Sequence, residues 1–403
     1  ADHFEAAPAM EGVQPSYRED GRAAELPRDF YSSRSYTDRL IEFMERGRGD
    51  GRPFFALAAY TAPHYPLQAP DAELQQQRGR YDAGYEAIRD ARLARQRALG
   101  IIAPDLQPAP QHPLFPSWNS LSPRLRALEA RRMEIYAAMI VAMDAQIGRL
   151  LGYLAQTGQL ENTLVLFLSD NGPEGSNPLE WGWESWARDT KDLSFENMGR
   201  PHSFTWLGPG WAYVSATPWR LFKAYTTEGG LRVPFIVRYP RLVPAGSIRP
   251  GYANLLDVLP TLLDAARARH PGARYRGRPI HAPSGGRTLL PLLAGQRASV
   301  HLRTDVSGWE LWNRRALRKG DWKIVWINAP WGKGLRQWEL YDLASDPAEL
   351  HDLAGAQPAK LAEMIGEWRA WVRRNGVIEV DDFVIGGGVN SFRHYDFAPP
   401  AAP

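Results

Sequence analysis

Thr163 to Gly175 reads TLVLFLSDNGPEG, and the fold is decided in this stretch. An unbroken apolar run, Leu164 to Leu168, meets Ser169-Asp170-Asn171-Gly172, which predicts a strand buried on both faces that ends in an abrupt polar turn. In open α/β sheets, ligands bind in the crevice beyond the carboxyl ends of the strands, where this turn sets one carboxylate and one amide oxygen. Two hard oxygens side by side suit Ca²⁺ or Mg²⁺. Asp-Asn-Gly is also strong turn chemistry in any protein, so a plain turn stands beside the metal reading.

On the N-terminal side, Ala1 to Arg28 carries turn residues and little periodicity, and reads as irregular surface chain. Ser35 is placed to cap a helix whose Tyr36, Leu40, Ile41 and Met44 share a face, with Gly47 and Gly49 as the stop. Phe54 to Tyr60, FFALAAY, predicts a buried strand running into Thr61-Ala62-Pro63-His64-Tyr65-Pro66, a loop stiffened by two prolines around one histidine. Both a structural and a functional role fit His64; its position at a strand's carboxyl end, with the backbone pinned, favours looking for chemistry there. Gln75 to Leu99, rich in Arg and Gln, reads as a solvated helical face. After a proline-laden connector from Pro104 to Pro123, a long helix is expected from Pro123 to Thr157. Tyr136, Met139, Ile140, Met143, Ile147, Leu150, Leu151 and Leu154 form its core face, and Gly158 ends it. Helix followed by strand, twice over, is the αβ pattern of a layered sheet.

Beyond the Asp-Asn turn, Asn177 to Ser215 holds Trp181, Trp183, Trp186, Trp206 and Trp211 among Gly, Pro and charged residues. Such a loop either walls a ligand cavity or packs itself down with its tryptophans. Lys223 is the cation of the apolar stretch Leu221-Phe222-Lys223-Ala224-Tyr225, and its ammonium must turn toward something; an anion would serve. Val233 to Tyr239 is a second buried run. Asn254 to Ala268 is an amphipathic helix with Asp257 as a structural anchor near its first turn. From about Arg297 the character changes. ALRKGDWKIVW predicts two strands joined at Gly320-Asp321, QWELYDL another, and Ala359 to Arg374 a closing helix. The expected organisation is thus a large α/β domain over residues 1–296, a small α+β domain over 297–382, and an extended tail over 383–403.

Across 403 residues, 48 Lys and Arg face 45 Asp and Glu, and a net charge of +3 gives no ground for nucleic acid as a partner while leaving an anionic substrate open. Cysteine is absent, which excludes disulfides, thiolate metal sites and a cysteine nucleophile within these residues. No apolar run reads as a membrane span, so no membrane partner is expected.

PFFALAAYTAPHYPLQAP, NTLVLFLSDNGPEG, RLFKAYTTEGGLRVPFIVRYP, DVLPTLLD, and GDWK with LYDLASDPAE together resemble a formylglycine-dependent sulfatase, closest to bacterial arylsulfatases and alkylsulfatases. The resemblance covers essentially the whole chain in order. It implies an alkaline-phosphatase-like fold, a doubly wound α/β sheet that is N-terminally incomplete here, with a small C-terminal sheet. It implies Asp170 and Asn171 as Ca²⁺ ligands, His64 as the histidine that contacts sulfate and protonates the leaving oxygen, and Lys223 as the lysine on the sulfate oxygens. The substrate implied is a small-molecule sulfate ester. Family members open with an Asp-Asp metal pair, then the Cys or Ser of C/S-x-P/A-x-R that becomes formylglycine, then a Lys and a His. None of these is found. Ala216-Thr217-Pro218-Trp219-Arg220 has the spacing without a heteroatom to oxidise, and Asp381-Asp382 lies at the wrong end of the order. The resemblance therefore implies a nucleophile segment upstream of Ala1 and a chain inactive by itself. A phosphoester or phosphonate-ester hydrolase of the same superfamily, or an inactive pseudoenzyme, is the alternative; oligomeric state and compartment, bacterial cytoplasm or periplasm, stay open.

Overall fold

The computed structural model describes residues 2–8, 11–113, 115–280, 285–328, 332 and 337–379. After a short antiparallel pair, Arg18–Glu19 with Arg22–Ala23, come four helices: α1 (Ser32–Arg46), α2 (Asp71–Gln76), α3 (Gly84–Ala98) and α4 (Pro123–Gln156). Strand β1 (Val165–Leu168), helices α5 (Glu184–Thr190) and α6 (Pro209–Ala216), strand β2 (Phe235–Arg238) and helix α7 (Val258–Ala265) follow. Strands β3 (Val306–Leu311), β4 (Arg314–Lys319), β5 (Trp322–Trp326) and β6 (Glu339–Asp342) and helix α8 (Pro358–Asn375) close the described chain.

The long helix forms where its signals lie. Ser122 caps α4 by accepting from the Leu125 amide at 3.3 Å, Pro123 occupies its first turn, and Gly158 takes the left-handed conformation just past its end. Its buried stripe runs through Met133, Ile135, Ala138, Met139 and Met143, whereas Ile140, expected on the core face, is exposed. By length and hydropathy α4 qualifies as a membrane span, contrary to the sequence reading; here its apolar face packs into the main core, alongside α1 and α2. The buried charges of its N-terminal half pair within the helix, Arg132 with Glu129 at 2.6 Å and Arg131 with Glu134 at 3.1 Å.

Several expectations are corrected. Phe54 to Tyr60 takes no regular secondary structure and joins no ladder among the described residues, and Phe55 and Leu57 are 75% and 74% exposed. β1 pairs antiparallel with β2, Val165 opposite Arg238 and Leu168 opposite Phe235, and is half-buried on both faces. An apolar run signals that a strand needs cover; the cover itself comes from neighbours distant in sequence, and each of these segments has at most one. α1 begins at Ser32 with Tyr31 as its N-cap, so Ser35 lies inside the helix. The Ser32 amide donates to the His3 carbonyl at 2.8 Å, which fixes the earlier start. The Gln75 to Leu99 stretch divides into α2 and α3, and Tyr85 and Leu93 turn α3 inward. Tyr85 donates to Glu129 at 2.8 Å and meets Trp211 edge-on at 4.8 Å. Ala1 to Arg28 is not wholly surface chain: Asp2 and His3 are each 1% exposed.

The C-terminal strands at Arg314–Lys319, Trp322–Trp326 and Glu339–Asp342 and the closing helix form where expected, with β3 an additional strand. β3 to β6 form one antiparallel sheet, order β6-β5-β4-β3, with the β4–β5 hairpin turning at Gly320-Asp321 as Lys319 faces Trp322. α8 covers it through Met364 and Trp368. Asp257 is a structural anchor: fully buried, it closes a capping box with Asn254 and takes His301 Nε2 at 2.9 Å. The tail over 383–403 and Asp381-Asp382 lie outside the described residues.

Candidate active site

Two turns interlock beyond the end of β1. The Gly172 amide donates to the Gly230 carbonyl at 3.0 Å, and the Lys223 amide donates to the Pro173 carbonyl at 3.0 Å. A Cβ on Gly172 would lie 2.1 Å from the Gly229 carbonyl oxygen, and one on Gly175 would strike the Phe222 ring at 2.5 Å, so the close approach needs glycine at both positions. Leu221 and Ala224 sit in the left-handed region on either side of Phe222-Lys223, a conformation costly for residues with a Cβ that recurs at functional sites.

This interlock delivers Lys223 to two partners. Its Nζ lies 3.0 Å from Glu174 Oε2 and 3.2 Å from His64 Nε2, although His64 is 159 residues away. The anion that the lysine was expected to seek is, within the chain, Glu174. Sequence reasoning passed over that residue; its signal was a carboxylate between Pro173 and Gly175 in a turn opposite a lone apolar-flanked lysine. Glu174 Oε1 also accepts from the Ser176 amide at 2.8 Å. Burial works to raise the Glu174 pKa, but Lys223 and Ser176 outweigh it and hold the group below the usual carboxylate range.

His64 is fixed in one tautomer. Its Nδ1 is 2.9 Å from the Tyr65 carbonyl, which only accepts, so Nδ1 carries the proton and Nε2 presents a lone pair to the Lys223 ammonium. The surrounding protein lowers its pKa most, with Lys223 adding to the effect, so the neutral ring is favoured. Behind it, Tyr65 packs with Phe204, Trp206 and Leu179, and Trp183 and Trp186 lean on the same cluster. Trp211 is fully buried elsewhere, its Nε1 donating to the Glu129 carbonyl at 2.7 Å. These tryptophans pack the 177–215 segment down.

A second buried layer, unseen in the sequence, holds the His64 loop. His3 Nε2 lies 3.2 Å from the His64 carbonyl, and its Nδ1 is 2.7 Å from Ser32 Oγ. Gln68 Nε2 donates to Asp2 at 2.9 Å, while Gln68 Oε1 accepts from the His3 amide. Burial lowers the His3 pKa from 6.5 to about 4, the bond to the His64 carbonyl opposing it. Between these values the unfolded chain binds a proton that the folded chain refuses, so the stability is present above pH 6.5 and is lost as pH falls through that window toward 4. At most about 3 kcal/mol is at stake. Urea midpoints measured near neutrality and near the lower value should drop less in His3→Gln than in the parent chain; parallel slopes would remove His3 from the account.

Asp170 is exposed, and its carboxylate makes no hydrogen bond or ion pair among the described residues. The Asn171 side-chain amide donates to the Gly172 carbonyl at 2.8 Å. The donor chemistry is that of a hard cation, but Ca²⁺ takes six to eight oxygens, and no group of three or more potential metal-ligating His, Asp or Glu gathers among the described residues. These two residues alone therefore do not make a calcium site, and no chemical step is drawn through a metal.

A family model described as Sulfatase matches residues 3–268, and one described as N-sulphoglucosamine sulphohydrolase, C-terminal, matches 218–367. The chain is 39% identical to an uncharacterized sulfatase of Schizosaccharomyces pombe over 91% of its own length and 66% of the relative's. It is 40% identical to an arylsulfatase of Klebsiella aerogenes over 64% of its length and 55% of the relative's. It thus spans between about half and two thirds of each of these relatives. Among solved structures, a protein in complex with its substrate D-glucosamine-2-N,6-O-disulfate superposes with a TM-score of 0.54 at 18% identity, covering 91% of this chain and 74% of that one. A phosphonate monoester hydrolase of Agrobacterium radiobacter gives 0.50 at 19%, covering 91% and 65%. The fold is alkaline-phosphatase-like.

Proposed function

Because this chain belongs to the sulfatase family, we propose that it carries the sulfate-binding and leaving-group side of a sulfate-ester hydrolase of arylsulfatase type. The observation that supports this reading is the meeting of Lys223, His64 and Glu174 next to the Asp170-Asn171 turn. An ammonium partly screened from water is a strong partner for a sulfate oxygen, and stabilises charge that grows as the ester bond breaks. His64 stands beside it with its ring oriented by the Tyr65 carbonyl, placed to hand a proton to the departing alcohol or phenol once Nε2 is charged. Asp170 and Asn171 are assigned as two ligands of a Ca²⁺ site whose remaining ligands are not among the described residues; the ion would supply charge neutralisation at the sulfate. The nucleophile is assigned to formylglycine, which these 403 residues do not encode, having no cysteine and no C/S-x-P/A-x-R. Neither His64 nor Lys223 replaces it toward sulfur.

The test is a phenyl-sulfate assay. The 403-residue chain is expected to give no turnover, whereas the gene product extended by upstream coding sequence and made with a formylglycine-generating enzyme should hydrolyse the ester. Turnover by the short chain above that of its His64→Ala variant would overturn the assignment of the nucleophile. An extended enzyme that splits phenyl phosphonate esters and leaves every sulfate ester untouched would overturn the substrate.

A further inference from the structure

An anion-binding lysine is most effective when nothing else neutralises it, yet Lys223 shares its ammonium with Glu174, whose side chain is only 14% exposed. The carboxylate is held on purpose-built backbone: Ser176 donates to its other oxygen, and the glycine contacts of the two turns leave the loop little room to swing it away. Within the cluster, Lys223 contributes one positive charge, Glu174 and Asp170 one negative charge each, and His64 is favoured neutral. Any ligand bound at Lys223 therefore lies beside a fixed carboxylate and feels it once per unit of its own charge.

We propose that Glu174 is a specificity-determining residue that favours monoanionic esters, such as sulfate monoesters, over the dianionic phosphate monoesters of the same shape. The inference rests on the reading of this site as one for sulfate esters and adds the charge state it selects. A sulfate monoester carries one negative charge and a phosphate monoester close to two above its second pKa of about 6. With the carboxylate sharing one ammonium with the ligand in a partly desolvated turn, each ligand charge is penalised by roughly a factor of ten. Two charges are penalised about a hundredfold, so the discrimination between the two esters is itself about tenfold.

The probes are phenyl sulfate and phenyl phosphate, titrated calorimetrically at about pH 8, where the second is a dianion, into the extended chain made without the formylglycine-generating enzyme so that neither ester turns over. Glu174→Gln, close in shape and uncharged, should tighten phenyl phosphate about a hundredfold and phenyl sulfate about tenfold, raising the affinity ratio about tenfold. Glu174→Asp keeps the charge and should leave the ratio within about twofold of the parent, which a purely structural prop for Lys223 would not distinguish from Gln. A ratio unchanged in Glu174→Gln, with phenyl sulfate still bound, overturns the inference and leaves the functional reading standing. Equal ratio changes in both variants overturn it too. If phenyl sulfate binds neither that extended chain nor any of its Glu174 variants, the functional reading fails and takes the inference with it.

Discussion

Lys323→Met is expected to lower the unfolding free energy by about 3–5 kcal/mol, the range for breaking a buried ion pair from one side. Lys323 lies on β5 and is fully buried, its Nζ 2.8 Å from Glu228 Oε1 and 2.8 Å from Glu349 Oε1. Glu349 also accepts from the Glu228 amide at 3.0 Å, and Arg220 reaches Glu339 at 2.8 Å. With Arg232 on Glu228 at 3.2 Å, three cations balance three carboxylates. Burial pushes the Glu228 pKa up, but Lys323 and then Arg232 overcome it, leaving the group at about 2. A carboxylate so depressed contributes stability that is present above its ordinary pKa of 4.5 and is lost as pH falls toward 2. Methionine fills the lysine's space and leaves two buried carboxylates without their central partner. Urea denaturation measures the loss, and a shift below about 1 kcal/mol would mean that water enters and replaces the ammonium. Glu228→Gln in the same chain should restore part of the loss. Because Arg220 and Glu228 bracket the segment that carries Lys223, the variant should also loosen Lys223 from His64.

What the sequence disclosed and what it withheld divide along a physical line. Ser122, Pro123 and Gly158 act within a few residues of themselves, and so the bounds of α4 could be read directly; the hairpin at Gly320-Asp321 is equally local. Burial is not local. Phe55 and Leu57 have the composition of a core strand and stand exposed, because Phe54 to Tyr60 pairs with no strand among the described residues. Asp2 and His3 have the composition of surface chain and are buried, because Gln68, Ser32 and Lys191 arrive from elsewhere to satisfy them. The candidate site shows the same division. His64 and Lys223 stood out since each is a lone polar group in an apolar or rigid setting, whereas Glu174 looked like part of a turn until the chain brought a lysine to it.

In the extended enzyme, His64→Ala is expected to slow alkyl sulfates by about 10²–10⁴ and phenyl sulfates by much less, the range for losing a general acid when the leaving group needs its proton. A phenolate departs with little help, being the anion of an acid with a pKa near 10; an alkoxide is far more basic and must be protonated as the ester bond breaks. In the resting geometry, the proton of His64 sits on Nδ1, committed to the Tyr65 carbonyl, and Nε2 accepts from Lys223. The ring can act as an acid only after Nε2 gains a proton, and desolvation together with the Lys223 charge works against that form. The His64-dependent part of alkyl-sulfate turnover should therefore be full in acid and fade as pH rises through a pKa below the ordinary 6.5, while the His64→Ala enzyme lacks this limb. Turnover numbers for both ester classes across that range decide the matter. Equal losses for alkyl and phenyl sulfates would transfer the proton to another donor, with the Lys223 ammonium next in line at 3.2 Å, and His64 would then only orient that ammonium.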